Sequence, residues 1–141
     1  MSRRILTGIT TTGIPHIGNY FGAIKPALQL SSEKNVSSYF FLADLHAIIK
    51  QTNPNEIKVS VNEVALAWLS SGLDPEKSFF YRQSNIPEIT ELAWILSCVT
   101  AKGLINRSHA YKAAVQLNHD HTKDEDKGIS MGLFSYPVLM A

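Results

Sequence analysis

Cysteine is almost missing from this chain, and the shortage closes off two structural devices at once. A single thiol, Cys98, can form neither an internal disulfide nor a cysteine-based zinc site. That fits a reducing compartment, and the apolar helical neighbourhood of Cys98 predicts an inert core position. Long apolar runs are missing as well. No segment approaches the roughly 20 residues needed to cross a bilayer. The opening, with Arg3 and Arg4, has no apolar stretch of signal-peptide length, so the sequence reads as cytoplasmic with no membrane partner. Charge of one sign is lacking too: 13 Lys and Arg against 12 Asp and Glu leave a net charge of +1. Such a balance creates no general field for nucleic acid, so any polynucleotide contact has to be local or lie outside this chain. What remains, 45% hydrophobic residues over 141 positions, suits one globular domain with a real core.

The most informative stretch runs from Thr7 to Ala23. Ile5 and Leu6 lead into it as a strand, and Ile17, Tyr20, Phe21, Ile24 and Leu28 leave it at helical spacing. Gly8, Gly13, Gly18 and Gly22 remove side chains where backbone turns sharply or approaches a ligand, and Thr10, Thr11 and Thr12 supply hydroxyls between them. A helix starting near Ile17 points unpaired N–H groups back at this loop, a geometry suited to an anion, with His16 and Asn19 as side-chain donors. Two phosphate motifs fail. Gly8 and Gly13 have P-loop spacing, but Ile14 stands where the lysine is needed, and no G-x-G-x-x-G occurs.

Further along, the first helix extends towards Ser31 and contains Pro26, which predicts a kink or an early stop. Tyr39–Ala43 reads as a buried parallel strand ending in Asp44-Leu45-His46. If the strand persists, Asp44 and His46 face one side at its carboxyl end, where ligands bind in open α/β sheets. The plainer expectation from spacing alone is a pair that meets water or caps a loop. Asn53-Pro54-Asn55-Glu56 predicts a capped helix start, and Ile57, Val61, Val64, Ala65 and Trp68 form its core stripe up to Gly72. Ser78–Gln83 is a third strand. A helix over 86–99 turns Ile89, Leu92, Ala93 and Leu96 inward. Alternating strands and helices give an α/β fold, the first half of a Rossmann-like doubly wound parallel sheet with helices on both faces.

Beyond Lys102 a helix is expected near Asn106 to Val115, with Arg107 and Lys112 on a solvated face. The polar run from Asn118 to Lys127 contains His119, Asp120, His121 and Asp124, all competent metal ligands. A solvated flexible loop is the better expectation, and no metal site is assigned. The chain stops inside the apolar segment Gly132–Ala141, which predicts a piece of a larger protein.

The stretch T-G-I-T-T-T-G-I-P-H-I-G-N-Y-F-G-A-I resembles the HIGH signature of class I aminoacyl-tRNA synthetases, here His16-Ile17-Gly18-Asn19. With its flanks it is similar to the bacterial tryptophanyl version, in which Asn replaces the last His. D-L-H-A and G-L-F-S-Y-P-V-L-M-A agree with it, so the resemblance covers essentially the whole chain. It implies residues 1–141 as the N-terminal part of the nucleotide-binding catalytic domain. The second half of that domain, an indole-recognising aspartate, the K-M-S-K-S loop and the anticodon-binding domain then lie past Ala141. The implied reaction is ATP-dependent activation of L-tryptophan to the adenylate, followed by transfer to tRNA(Trp), with Mg²⁺ bound through ATP. The resemblance makes His16, Asn19 and Lys112 catalytic, and Thr10, Thr11, Thr12, Gly18 and Asn19 ATP-binding. It makes Leu6, His46, Tyr136 and Met140 the tryptophan pocket. Many relatives carry Gln at the place of Thr10, a side chain of longer reach. A homodimer joined through this half is implied, with tRNA held mostly elsewhere. The alternatives are a tyrosyl-tRNA synthetase, a small nucleotidyltransferase with its H-x-G-H loop, or a non-catalytic synthetase-like binding module. The Gly132–Ala141 stretch argues against the nucleotidyltransferase.

Overall fold

The computed structural model describes residues 3–121 and 124–141. The side chain of His121, weighed above as a metal ligand, and Thr122 and Lys123 of the same polar run lie outside the described residues. The chain forms two compact units, one ending at Asn85 and the other spanning Ile86–Ala141.

In the first unit, β1 (Arg3–Thr10), β2 (Val36–Ala43) and β3 (Ser78–Arg82) form a parallel sheet in the order β1-β2-β3. Between β1 and β2 come α1 (Ile17–Asn19), a π-helical stretch Tyr20–Ile24 and α2 (Lys25–Ser31); between β2 and β3 come α3 (Asp44–Ala47) and α4 (Pro54–Ser70). This is the expected α/β, Rossmann-like arrangement. The register sets Thr10 opposite Ala43 and Leu42 opposite Arg82, so all three strands end at one edge. The loop after β1, the turn of α3 and the 3₁₀ turn Gln83–Asn85 leave the sheet there together.

Strand alternation divides the residues between the two faces. Ile9, Phe40 and Leu42 point to one face and are buried against Ile24, Ala27, Val61, Val64 and Trp68. Trp68, fully buried as its helical stripe predicts, stacks on Phe40 with ring centroids 4.8 Å apart. On the other face Tyr39 lies on Phe79 at 4.7 Å and Phe41 on Tyr81 at 6.0 Å. Gly8, opposite Phe41 in the register, leaves room for that ring: a Cβ there would lie 2.6 Å from Cε1 and Cε2 of Phe41. Its lack of a side chain therefore serves packing on this face.

Local chemistry explains the element ends. Pro26 has no N–H to donate, and the helix widens just before it, with the Lys25 N–H reaching back five residues to the Tyr20 carbonyl. Asn53 Oδ1 caps α4 by accepting from the Asn55 N–H at 3.0 Å. The Glu56 carboxylate accepts from the Asn53 and Gln51 side-chain amides, and Gln51 Oε1 accepts the Asn53 N–H. The reciprocal Glu-to-backbone half of a capping box is thus replaced by Gln51. β2 ends at Ala43, and Asp44–Ala47 are helical. Asp44 and His46 therefore do not share a strand face, contrary to the extended reading.

The second unit contains α5 (Pro87–Val99), α6 (Lys102–Ile105), α7 (His109–His121) and α8 (Met131–Leu139). On α5, Ile89, Ala93 and Leu96 are half-buried, but Leu92 and Cys98 are exposed, against expectation. Trp94, Ile95 and Val99 are exposed too: α5 is apolar on more sides than it buries. Cys98 sits about 200° around the helix from Leu96 at ~100° per residue. α7 begins later and runs further than predicted, because the Ser108 carbonyl accepts the Lys112 N–H at 3.0 Å and opens the helix there. Lys112 stays on the helix and is exposed, whereas Arg107 falls in the preceding turn. The described residues of the polar run are tied together. Asn118 donates to the carbonyls of Glu125 (2.7 Å) and Lys127 (2.9 Å), His119 meets Glu125 at 3.1 Å, and the Tyr111 hydroxyl donates to Asp126 at 2.8 Å.

Candidate functional site

The loop leaving β1 keeps the in-and-out alternation of the strand. Thr10 and Thr12 line a cavity of about 120 Å³, while Thr11 is fully buried, and its hydroxyl has no hydrogen-bond partner among the described residues. Thr11 therefore packs inward, and of the three threonines Thr10 and Thr12 line the cavity. Gly13 then turns the chain with φ +111°, a conformation costly for any residue with a Cβ. Its N–H donates to Ser60 Oγ on α4 at 3.0 Å, so the turn is anchored to the sheet's covering helix.

His16 follows in extended conformation and caps α1. Its Nδ1 accepts from the Gly18 N–H at 3.0 Å, its own N–H donates to Asn19 Oδ1 at 2.9 Å, and its carbonyl accepts the Asn19 N–H at 2.9 Å. The four-residue motif is a capping box with an imidazole in place of the usual hydroxyl. Because Nδ1 serves as acceptor, the proton of the neutral ring sits on Nε2, making that exposed nitrogen a donor. Gly18 makes this possible: a Cβ there would lie 2.8 Å from His16 Cε1 and 2.9 Å from Nδ1. Asn19, with its oxygen accepting from His16, retains its amide nitrogen as a donor. Thr10, Thr12, Gly13, His16 and Asn19 provide the polar lining and Ile9, Ile14, Pro15 and Val64 the walls, with no carboxylate among them. A small, donor-rich, acid-free hollow at the carboxyl edge of a parallel sheet is suited to an anion such as phosphate.

At the same edge, Asp44 and His46 engage the turn after β3. Asp44 Oδ1 accepts from the backbone N–H groups of Ser84 (2.9 Å) and Leu45 (3.0 Å), and Oδ2 accepts the Ser84 hydroxyl. Asp44 thus caps a loop, as its spacing alone suggests. His46 Nδ1 pairs with Gln83 Oε1 at 3.0 Å, and Asp44, His46 and Gln83 are all buried. The sequence gives Gln83 only as the end of a strand that in fact stops at Arg82, and it gives no role to Ser84 or Ser60. The available signal was the pair of polar residues that follows the apolar β3 directly.

Leu6, on β1, is exposed and shares a sheet face with Gly8 and Thr10. Tyr136 and Met140 belong to the second unit, where Tyr136 is half-buried on α8 and its carbonyl accepts the Met140 N–H at 3.1 Å. Larger hollows in that unit, about 420 and 320 Å³, have mainly apolar lining around Leu104 and Val138 or around Phe134 and Met131. Among the described residues no three His, Cys, Asp or Glu side chains come together as a metal-binding group.

The sequence model of the family described as "tRNA synthetases class I (W and Y)" matches residues 2–141. A tryptophan–tRNA ligase of Pseudomonas putida is 61% identical over the whole chain, and one of Bordetella pertussis is 60% identical. The chain spans 31% of the length of each. Tryptophanyl-tRNA synthetase from Campylobacter jejuni superimposes with a TM-score of 0.84 at 41% identity, covering 99% of this chain and 41% of that one. The same enzyme complexed with ADP and tryptophan gives 0.81 at 42% identity, covering 97% and 40%. A tyrosyl-tRNA synthetase from Archaeoglobus fulgidus, at 16% identity and a TM-score of 0.70 over 98% and 41%, shares the fold. By its sequence from end to end, this chain belongs to the class I tRNA synthetases of the tryptophan and tyrosine type.

Proposed function

We propose that this chain supplies the ATP-binding and tryptophan-binding part of a tryptophan–tRNA ligase. The observation that carries the reading is the His16–Asn19 capping box, which sets an imidazole Nε2–H and an amide at the rim of an acid-free hollow. When the tryptophan carboxylate attacks the α-phosphorus of ATP, negative charge grows on the phosphoryl oxygens and the departing pyrophosphate. Donors already aimed at those atoms lower the barrier without reorganising. His16 and Asn19 take that role, with Gly18 allowing the imidazole its place. Thr10 and Thr12 contact the nucleotide, and Thr11 holds the loop from inside. Lys112 adds a cation to the phosphates. The hollow offers donors and no carboxylate, so Mg²⁺ accompanying ATP would be bound through the polyphosphate and would balance its charge.

Leu6, His46, Tyr136 and Met140 are the residues we assign to recognition of the amino acid. Identity near 60% to tryptophan–tRNA ligases along the whole chain supports tryptophan as the substrate. Transfer to tRNA(Trp) relies mainly on regions corresponding to the unmatched length of those relatives. The working enzyme is a cytoplasmic homodimer.

The test is tryptophan-dependent exchange of labelled pyrophosphate into ATP, by this chain or by the longer polypeptide that carries it. His16→Ala lowers the exchange by about 10²–10³-fold, the usual cost of one donor aimed at a developing charge. Unchanged exchange in that variant overturns the reading of the site, and exchange with tyrosine in place of tryptophan overturns the substrate.

A further inference from the structure

A buried polar clasp joins the exits of β2 and β3. Asp44 takes both the backbone N–H and the hydroxyl of Ser84, and two residues on His46 Nδ1 meets Gln83 Oε1 at 3.0 Å. Gln83 is 3% exposed and His46 9% exposed. A carboxamide oxygen can only accept, so His46 Nδ1 must carry the hydrogen, and Nε2 is then the basic nitrogen of the neutral ring. This is the opposite tautomer to that of His16, whose Nδ1 is an acceptor. The Gln83 backbone is itself fixed, because its neighbour Ser84 is held at two atoms by Asp44.

We propose that Gln83 is a positioning residue for amino-acid recognition: through the Nδ1–H···Oε1 bond it sets the ring plane and tautomer of His46. The inference rests on the reading of His46 as a wall of the tryptophan pocket. Stacking against an aromatic substrate depends on ring orientation, and a ring turned about its Cβ–Cγ bond loses face-to-face contact even where its atoms stay nearby. Gln83 supplies that orientation without adding charge to a site that has to accept an indole. The bond joins residues 37 apart in sequence, so the recognition surface depends on correct pairing of β2 with β3.

The direct measurement is the ¹⁵N spectrum of histidine-labelled protein, with the His46 signals identified by their loss in His46→Asn. In the neutral ring the expected signature is a hydrogen on Nδ1 and none on Nε2. A neutral ring with its hydrogen on Nε2 instead overturns the proposal without any variant. Gln83→Met keeps the volume and removes the acceptor. It should release the tautomer and raise KM for tryptophan on the order of tenfold, since misplacing a contact by 1 Å can cost 10²-fold, while KM for ATP stays within about twofold. Gln83→Glu keeps an acceptor and should restore the Nδ1–H signature. An unchanged tryptophan KM in Gln83→Met, alongside a raised one in His46→Asn, overturns the role of Gln83 and leaves the pocket reading intact. An unchanged tryptophan KM in His46→Asn removes the pocket reading and this inference with it.

Discussion

Replacing Gly18 with alanine asks whether the His16 imidazole is held in place by the backbone beside it. The new Cβ would lie 2.8 Å from Cε1 and 2.9 Å from Nδ1 of that ring, several tenths of an ångström inside ordinary contact. The ring is exposed and swings away, and the Gly18 N–H···Nδ1 bond of 3.0 Å is lost. Loss of an N-cap costs about 1 kcal/mol, within a range of about 0.5–2. For a cooperative unit of roughly 60–100 residues, 1 kcal/mol lowers the unfolding midpoint by about 4–8 °C. The effect on chemistry is larger, because a donor moved by about 1 Å can cost 10²-fold in rate. The expected result is a drop of a few degrees with pyrophosphate exchange reduced about 10–100-fold. The decisive arm is the His16→Ala background. There the ring is gone, the alanine Cβ meets nothing, and alanine favours a helix over glycine by up to about 1 kcal/mol. Gly18→Ala should then be neutral or stabilising and leave the residual exchange unchanged. Equal losses in both backgrounds would refute the idea that Gly18 acts through His16.

Three other perturbations test separate parts of the structure. Gly8→Ala drives a Cβ into the Phe41 ring and should cost about 1–3 kcal/mol in thermal denaturation through overpacking; Gly8→Ala combined with Phe41→Leu should recover most of it. Ser60→Ala leaves the Gly13 N–H without its acceptor. A net loss of about 1 kcal/mol corresponds to about a fivefold rise in KM for ATP, with KM for tryptophan unmoved, in steady-state exchange. Tyr111 donates to the Asp126 carboxylate, and that bond, with some burial and the charges of Asp126 and Glu125, holds its phenol above the ordinary value of 10.0. The folded state therefore favours the neutral phenol: the contribution is fully present below about pH 10 and is lost as pH rises through Tyr111's own, higher value. Tyr111→Phe should lower the melting temperature at pH 8 and converge with the parent in strong alkali, and a difference that widens with pH would contradict the linkage.

Periodicity made much of the first unit legible. Trp68, Val64 and Val61 follow a helical stripe and are buried, and the uninterrupted apolar block of β2 is a central strand. The glycine-rich loop was legible as a ligand-facing turn because glycines and hydroxyls cluster where a strand passes into a helix. The inward Thr11 was not read from the sequence, although Ile9 in, Thr10 out and Thr11 in continue the strand's period of two. Other features had no local signal. The Gly13–Ser60 anchor joins residues 47 apart, and the Asp44–Ser84 clasp residues 40 apart, so neither leaves a trace in any short window. On α5 the pattern misled, because a helix apolar on several sides does not declare which stripe turns inward; Leu92 and Cys98 fell on the wrong side. The polar run from Asn118 reads as unstructured by composition, yet it begins within α7, and Asn118 and Tyr111 tie Glu125, Asp126 and Lys127 to that helix through bonds that composition cannot encode.

The two tryptophans of the chain fall one in each unit, and their surroundings are opposite. Trp68 is fully enclosed against Phe40, whereas Trp94 on α5 is 71% exposed. An enclosed indole emits to the blue of a solvated one, so the intrinsic fluorescence of the unmodified protein already contains two spectrally separable reporters. The short-wavelength component follows the glycine loop's half of the molecule, and the long-wavelength component follows the helical half. A denaturant titration recorded at both edges of the emission band would therefore show, without labels, whether the halves melt as one body or in sequence.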